Sequence, residues 1–290
     1  MRTVFLNGEF MPADEARISP LDRGFIFGDG VYEVIPAYGR RLFRLAEHLE
    51  RLRHSLEGVR MASPYSTERW SEILQELIER HPEDDQSLYL QVTRGVAKRD
   101  HAFPKDTQPT VFAMTSKLLP IAEDIRRDGI KAVTLEDIRW EYCNLKTIAL
   151  LPNILLRQQA LDEGAAEAVL VRDGEITEGA ASNIFIVLDG TLITPPKGPR
   201  LLPGITRDLI LELSERSGVI CREATLTAGD LKRAQEIWLT SSTREILPVT
   251  ELDGRPVGNG KPGVLWTRLI TLYQDYKRDY SKISLAKPLG

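Results

Sequence analysis

Apolar residues recur at helical spacing in two stretches of the first half of the chain. Leu45, Leu49, Leu52, Leu56 and Val59 line one face and predict a helix from about Leu45 to Val59. Trp70, Ile73, Leu74, Leu77 and Ile78 line another, predicting a helix over about Ser66–Arg80. Alternation replaces that period elsewhere. TVFLNGEF reads as a hairpin turning at Asn7-Gly8, and Val31–Ala37, Leu88–Arg94 and Thr110–Thr115 read as strands. The second half opens with a strand at Ile130–Thr134, followed by a helix over about Asn153–Glu163 that Gly164 caps. Three alternating runs come next, EAVLV, ITEGAASNIFIV and TLITP. The turns RDG and LDG separate them and predict an antiparallel meander. A helix after Gly204 ends near Gly218, another follows Thr227, EIWLTSS is a strand, and a last helix covers about Val264–Tyr276. The tail after Tyr280 is expected to be loosely ordered. KLLPIAED, near Ser116–Glu123, reads as a linker, so the pattern predicts an α+β protein of two domains, residues 1–119 and 120–290.

Composition narrows the class. The 290 residues are 42% hydrophobic and 28% charged, which supplies a sizeable core and excludes wholesale disorder. A net charge of −4 gives no basic surplus for nucleic acid or an anionic membrane. Cys143 and Cys221 lack CxxC spacing and are expected to stay thiols in a reducing cytoplasm. His48, His54, His81 and His101 form no HExxH, so neither a zinc enzyme nor another metal site is expected. Charges among the first residues fall too early for a secretory leader, and no apolar run approaches the roughly 20 residues of a spanning helix. A cytoplasmic protein is the expectation.

Four places carry candidate chemistry. Lys146 stands alone among Leu145, Ile148, Ala149, Leu150 and Leu151. Apolar surroundings disfavour an ammonium and favour an amine that attacks aldehydes, although a snorkelling surface lysine fits the same string. Glu178 is followed by Gly179, Ala180, Ala181 and Ser182, small residues that let a flat ring approach the backbone. A carboxylate there can keep a pyridine nitrogen protonated. A solvated turn glutamate has the same local sequence. Pro203-Gly204-Ile205-Thr206-Arg207 opens a helix, whose free N–H groups suit a phosphate or simply begin a helix. Thr240-Ser241-Ser242-Thr243 offers further hydroxyls or a polar turn. Arg51, beside the leucine stripe, can reach inward as a phosphate clamp or outward to water.

The order of these segments is more informative than any one of them. RGFIFGDGVYEV (23–34), EHLERL (47–52), the segment around Lys146, EITEGAASNIF (175–185), LPGITRD (202–208) and TSSTREILPV (240–249) together resemble the fold-type IV pyridoxal-phosphate enzymes. The resemblance runs from about Phe5 to Tyr273. It implies a two-domain fold with pyridoxal 5′-phosphate between the domains, the C-terminal one being the larger, cofactor-binding domain. It also implies a homodimer with active sites at the subunit interface. Lys146 would be the Schiff-base lysine and proton shuttle, and Glu178 the partner of the pyridine nitrogen. Arg51, the Ile205 and Thr206 amides and Ser242 would hold the phosphate, with Ser182 and Ser241 also on the cofactor.

Within that family, Arg99, His101, Phe103 and Pro104 in VTRGVAKRDHAFP resemble the RxHxFP signature of the D-amino acid aminotransferases. There the arginine and histidine reach across the dimer to the substrate α-carboxylate, helped by a tyrosine matching Tyr32. A guanidinium fork fits a carboxylate, and imidazole and phenol add donors. The same loop, taken alone, suits solvent. The resemblance therefore implies transamination between D-amino acids and 2-oxo acids such as 2-oxoglutarate or pyruvate. Branched-chain L-amino acid aminotransferase, aminodeoxychorismate lyase and R-selective amine transaminase are the alternatives on the same fold. Two departures stand out. Ala180 and Ala181 replace serines common in the D-amino acid enzymes, and Arg244 occupies a position that is often small and polar.

Overall fold

The computed structural model describes residues 2–282, in two units. Of the described residues, the first comprises 2–119, Lys146–Ala149 and 273–282; the second comprises Pro120–Leu145 and Leu150–Leu272.

The first unit contains β1 (Thr3–Leu6), β2 (Glu9–Pro12), α1 (Arg23–Phe27), β3 (Gly30–Tyr38), β4 (Arg41–Leu42), α2 (Leu45–Gly58), α3 (Thr67–Glu79), β5 (Gln86–Thr93) and β6 (Thr110–Lys117). Its six strands form an antiparallel sheet in the order β2-β1-β6-β5-β3-β4. Asn7 and Gly8 turn the first hairpin with φ of 49° and 103°, a tight turn whose backbone suits asparagine and glycine. The two predicted helices hold. Ser66 caps α3 by accepting from the Arg69 N–H, and Trp70, Ile73, Leu74, Leu77 and Ile78 are all buried. They pack with Leu49, Leu52 and Leu56 of α2 against Val31, Ile35, Leu88 and Leu90 of the sheet. Burying such a side chain contributes about 1.5–3 kcal/mol, so this face organises the unit.

The second unit contains α4 (Glu123–Asp128), β7 (Ile130–Glu136), α5 (Leu151–Asp162), β8 (Glu167–Arg172), β9 (Glu175–Gly179), β10 (Asn183–Leu188), β11 (Thr191–Thr194), α6 (Ile205–Ser217), β12 (Cys221–Glu223), α7 (Ala228–Arg233), β13 (Glu236–Ser241), β14 (Glu245–Leu252), β15 (Arg255–Pro256) and the first part of α8 (Val264–Lys282). The sheet order is β12-β11-β10-β13-β14-β7-β8-β9, with β15 on β14. The predicted meander forms only as two separate hairpins, β8 with β9 at the RDG turn and β10 with β11 at the LDG turn. ITEGAASNIFIV breaks at Ala180–Ser182 into β9, which pairs with β8, and β10, which pairs with β13 and β11. Parallel pairings of β7 with β8 and with β14 complete the path. Small residues at the break permit the sharp redirection, and that break sets Glu178 and Ser182 at strand ends.

Other boundaries shift for local reasons. Pro152 needs no N–H in the first turn, so α5 starts earlier than expected. The last helix continues to Lys282, beyond the predicted end, and the remainder of the tail lies outside the described residues. The short helices α1 and α4 and strand β14 were absent from the prediction. No described helix is long and apolar enough to cross a membrane.

Candidate active site

Lys146 belongs to the first unit, where it is held by backbone pairing. The Tyr32 N–H donates to the Lys146 carbonyl (2.9 Å), the Ile148 N–H donates to the Gly30 carbonyl (3.0 Å), and Val31 bridges Thr147. The Lys146 N–H itself donates to Ser55 Oγ at 3.1 Å. A Cβ on Gly30 would lie 2.6 Å from the Val92 carbonyl oxygen, so the strand needs glycine there. The half-buried Lys146 amine is 4.0 Å from the centroid of the Tyr32 ring.

Alternation along β3 puts Glu33 on the core face with Val31 and Ile35, under α2. Glu33 is fully buried and fully paired. Arg51 donates from Nε to Oε1 and from Nη2 to Oε2, both at 2.8 Å, and His48 Nδ1 lies 2.8 Å from Oε2. Burial alone would push the Glu33 carboxyl up; the Arg51 guanidinium and the His48 hydrogen bond outweigh it and hold it well below the usual range. Burial lowers His48, against the pull of Glu33. His48, Arg51 and Ser55 share one face of α2, so Arg51 points inward as expected. Sequence reasoning missed its partner Glu33. A glutamate in phase with core residues was the available signal.

The loop bearing Arg99 and His101 is built on buried arginines. Arg23 and Arg94 both clasp Asp29, at 2.7 and 2.8 Å, and Arg23 Nη1 donates to the Asp100 carbonyl at 2.6 Å. Arg94 stacks over Phe103, 3.8 Å from the ring centroid. The Arg99 guanidinium and the His101 ring both lie against Phe27, at 5.4 and 5.5 Å, and both residues are exposed. Arg99 and His101 therefore stand side by side on one aromatic ledge.

In the second unit, Glu178 is the penultimate residue of β9 and is 5% exposed. Its Oε1 accepts from Arg139 Nη1 at 2.5 Å; its Oε2 accepts from Asn183 Nδ2 at 3.0 Å and from the Leu202 N–H at 3.1 Å. Burial pushes the Glu178 carboxyl up, while Arg139 and the Leu202 N–H pull it down. Asn183 also donates to the Leu202 carbonyl at 2.8 Å, tying Glu178 to the approach of α6. Gly204, the N-cap of α6, offers no side-chain cap to the first-turn N–H groups that include Ile205 and Thr206. Its Cβ would meet Asn183 Oδ1 at 1.9 Å. Asn183 pairs with Thr240, which gathers these strand ends. The hydroxyls of Ser182 and Thr240 are buried there without a hydrogen-bond partner. Ser241 and Ser242 begin the turn into β14, where Ser241 Oγ accepts from the Arg244 N–H at 3.3 Å. Arg139, Asp137 and Asn183 were missed, because polar residues near strand ends carry no periodic signal.

Both departures now have a geometry. The Ala180 N–H donates to the Ala168 carbonyl, whereas Ala181 is exposed. The Arg244 side chain pairs with Glu167, which is fully buried at the start of β8.

The first unit offers an amine beside an aromatic face; the second, taken by itself, offers a buried carboxylate beside a helix start with unpartnered hydroxyls. Comparison with known proteins gives the chain a family. The model of the amino-transferase class IV family matches residues 30–252. A D-alanine aminotransferase of Staphylococcus aureus strain COL is 38% identical over 282 residues, covering 97% of this chain and all of the relative. A D-alanine aminotransferase of Bacillus licheniformis is 39% identical over 274 residues, 94% of this chain and 96% of the relative. Among solved structures, the Escherichia coli branched-chain amino acid aminotransferase matches with a TM-score of 0.92 at 25% identity, over 98% of this chain and 97% of that one. A second branched-chain amino acid aminotransferase, from T.th. and solved with pyridoxamine 5′-phosphate, matches at 0.90 and 26% identity, over 95% and 93%. The chain belongs to the class IV aminotransferase family.

Proposed function

We propose that this protein is a pyridoxal 5′-phosphate-dependent aminotransferase that moves amino groups between D-amino acids of the D-alanine and D-glutamate type and 2-oxo acids such as 2-oxoglutarate or pyruvate. The observation that carries this reading is the Lys146 amine, fixed over the Tyr32 ring, in a chain that matches D-alanine aminotransferases at 36–39% identity nearly end to end. The branched-chain enzymes share the fold at lower identity, so the L-amino acid alternative has less support.

The donor set fits the cofactor. The buried hydroxyls of Ser182 and Thr240 lack partners, and α6 begins without a side-chain cap, as a phosphate site requires. When bound, the cofactor supplies an aldehyde and a protonated ring that withdraws electrons from the substrate Cα. Lys146 would be the amine that holds the aldehyde, and, once a substrate amine displaces it, the free base placed to take the Cα proton. The Tyr32 face beside it stabilises the ammonium that then forms. Glu178 receives the ring N–H. Arg51, the Ile205 and Thr206 amides and Ser242 would hold the phosphate, with Glu33 fixing the Arg51 fork and Ser241 nearby on the cofactor. Ser182 adds a hydroxyl. Arg99 and His101 clamp the α-carboxylate with Tyr32, and in a homodimer they serve the partner's site. Support for that assembly comes from Leu151, Ile154 and Leu155, an exposed apolar stripe on α5, with Ile138, Trp140 and Tyr142 exposed on the loop after β7. Two free thiols, Cys143 and Cys221, accord with a cytoplasmic location.

Borohydride reduction of the cofactor-loaded protein, followed by peptide mapping, tests the assignment. The label is expected on Lys146, and Lys146→Ala is expected to lose both label and transamination. A label on a different lysine refutes the site.

A further inference from the structure

Glu178 is surrounded by more donors than the reaction requires. A carboxylate has about four acceptor positions, two on each oxygen. Oε2 is filled by Asn183 Nδ2 and the Leu202 N–H, and Oε1 takes one bond, from Arg139. The remaining position therefore lies on Oε1, the oxygen already bound to a guanidinium.

Arg139 is itself locked. Its Nε donates to Asp137 Oδ1 and its Nη2 to Asp137 Oδ2, both at 2.9 Å, and Nη2 reaches the Arg200 carbonyl at 3.3 Å. Thr177 Oγ1 donates to Asp137 Oδ2 at 2.9 Å. Arg172 of β8 donates to the Arg139 carbonyl at 2.7 Å and lies 3.1 Å from Asp137 Oδ1. The Asp137, Arg139 and Glu178 side chains are 0%, 5% and 6% exposed. A fork held this firmly fixes the direction from which Glu178 is approached.

We propose that Arg139 is a positioning residue for Glu178: it keeps the carboxylate charged, and by sharing Oε1 it leaves the proton of the cofactor's ring N–H on the nitrogen. The inference rests on the proposed role of Glu178. A guanidinium bound to Oε1 withdraws charge from that oxygen and lowers its affinity for a proton. Without it, burial favours a neutral carboxyl, which cannot serve as the anionic partner. The other groups around Glu178 do not replace Arg139. Asp137 is an anion, Asn183 and the Leu202 N–H are neutral, Arg172 is spent on Asp137 and Glu141, and burial pushes the Cys143 thiol up to about 11.

The test uses protein loaded with pyridoxal phosphate carrying an isotopically labelled ring nitrogen. Nuclear magnetic resonance reports whether that nitrogen holds the proton near neutral pH, and dialysis gives the rate of cofactor release. In Arg139→Gln the signal is expected to move toward the unprotonated position, with release faster by on the order of tenfold. Arg139→Lys, which restores a cation, is expected to return most of the signal. Asp137→Asn, which loosens the fork and keeps Arg139, is expected to fall between. A wild-type signal in folded Arg139→Gln overturns the proposal. If that variant fails to fold, a wild-type signal in Asp137→Asn overturns it. Glu178→Gln separates the two readings: an unchanged signal there refutes Glu178 as the nitrogen's partner, whereas a moved signal with Arg139→Gln unmoved refutes only Arg139.

Discussion

Glu33 and His48 give the first unit a dependence on pH that can be worked out residue by residue. Both are held below their ordinary values of 4.5 and 6.5, so the folded chain binds these protons less readily than the unfolded chain. Their stabilisation is therefore complete above about 6.5. It drains as pH falls, first as the unfolded chain takes up the His48 proton, then below about 4.5 as it takes up that of Glu33. Glu178, raised by burial, runs the other way, and its contribution is lost as pH rises. Urea melts of the cofactor-free protein across this range should show stability falling from about pH 7 to pH 5, and His48→Gln should flatten that slope. An unchanged slope in the variant contradicts the assignment. At this scale the candidate residues were legible in the sequence and the side chains that hold them were not. Lys146, Glu178 and Arg51 stood in recognisable strings, but Glu33, Arg139 and Asn183 acquire meaning only when distant segments meet.

Helix α6 shows what an element contributes. Its start is fixed by a glycine whose Cβ would collide with Asn183, the residue that also holds Glu178. Gly204→Ala must displace that amide or the helix start, an overpacking cost of roughly 1–3 kcal/mol. Cofactor affinity should then fall by about five- to a hundredfold in a titration. Gly218→Ala is the control, at the other end of the same helix, with φ 70° and open space around it. It should lower the melting temperature and leave affinity alone. Equal affinity in Gly204→Ala and wild type contradicts the phosphate role proposed for this helix start. Helices α2 and α3, with a clean period, were legible from the chain, as were α6 from its flanking glycines and β13 from its apolar run. The split of ITEGAASNIFIV was not, because alternation cannot say which strand a segment will pair with, and GAAS reads as continuous strand or as turn. The hairpin partner β14 was hidden for the same reason.

On the scale of the whole molecule, the order of motifs identified the family, and the proposed substrate choice rests on Arg99 and His101. Mixing Arg99→Ala with Lys146→Ala subunits tests whether they act across a dimer. Each mixed dimer would hold one doubly damaged site and one intact site, so activity should reappear once subunit exchange is shown. No recovery places Arg99 with its own Lys146. The account's central claim meets its most direct test in an enantiomer-resolved transamination assay of the cofactor-loaded protein. D-alanine and D-glutamate, each with a 2-oxo acid acceptor, are measured beside L-leucine and an amine without a carboxylate. Turnover of the D-amino acids, lost in Arg99→Ala through a raised KM, is the predicted result; turnover of L-leucine with none of the D-amino acids would contradict it.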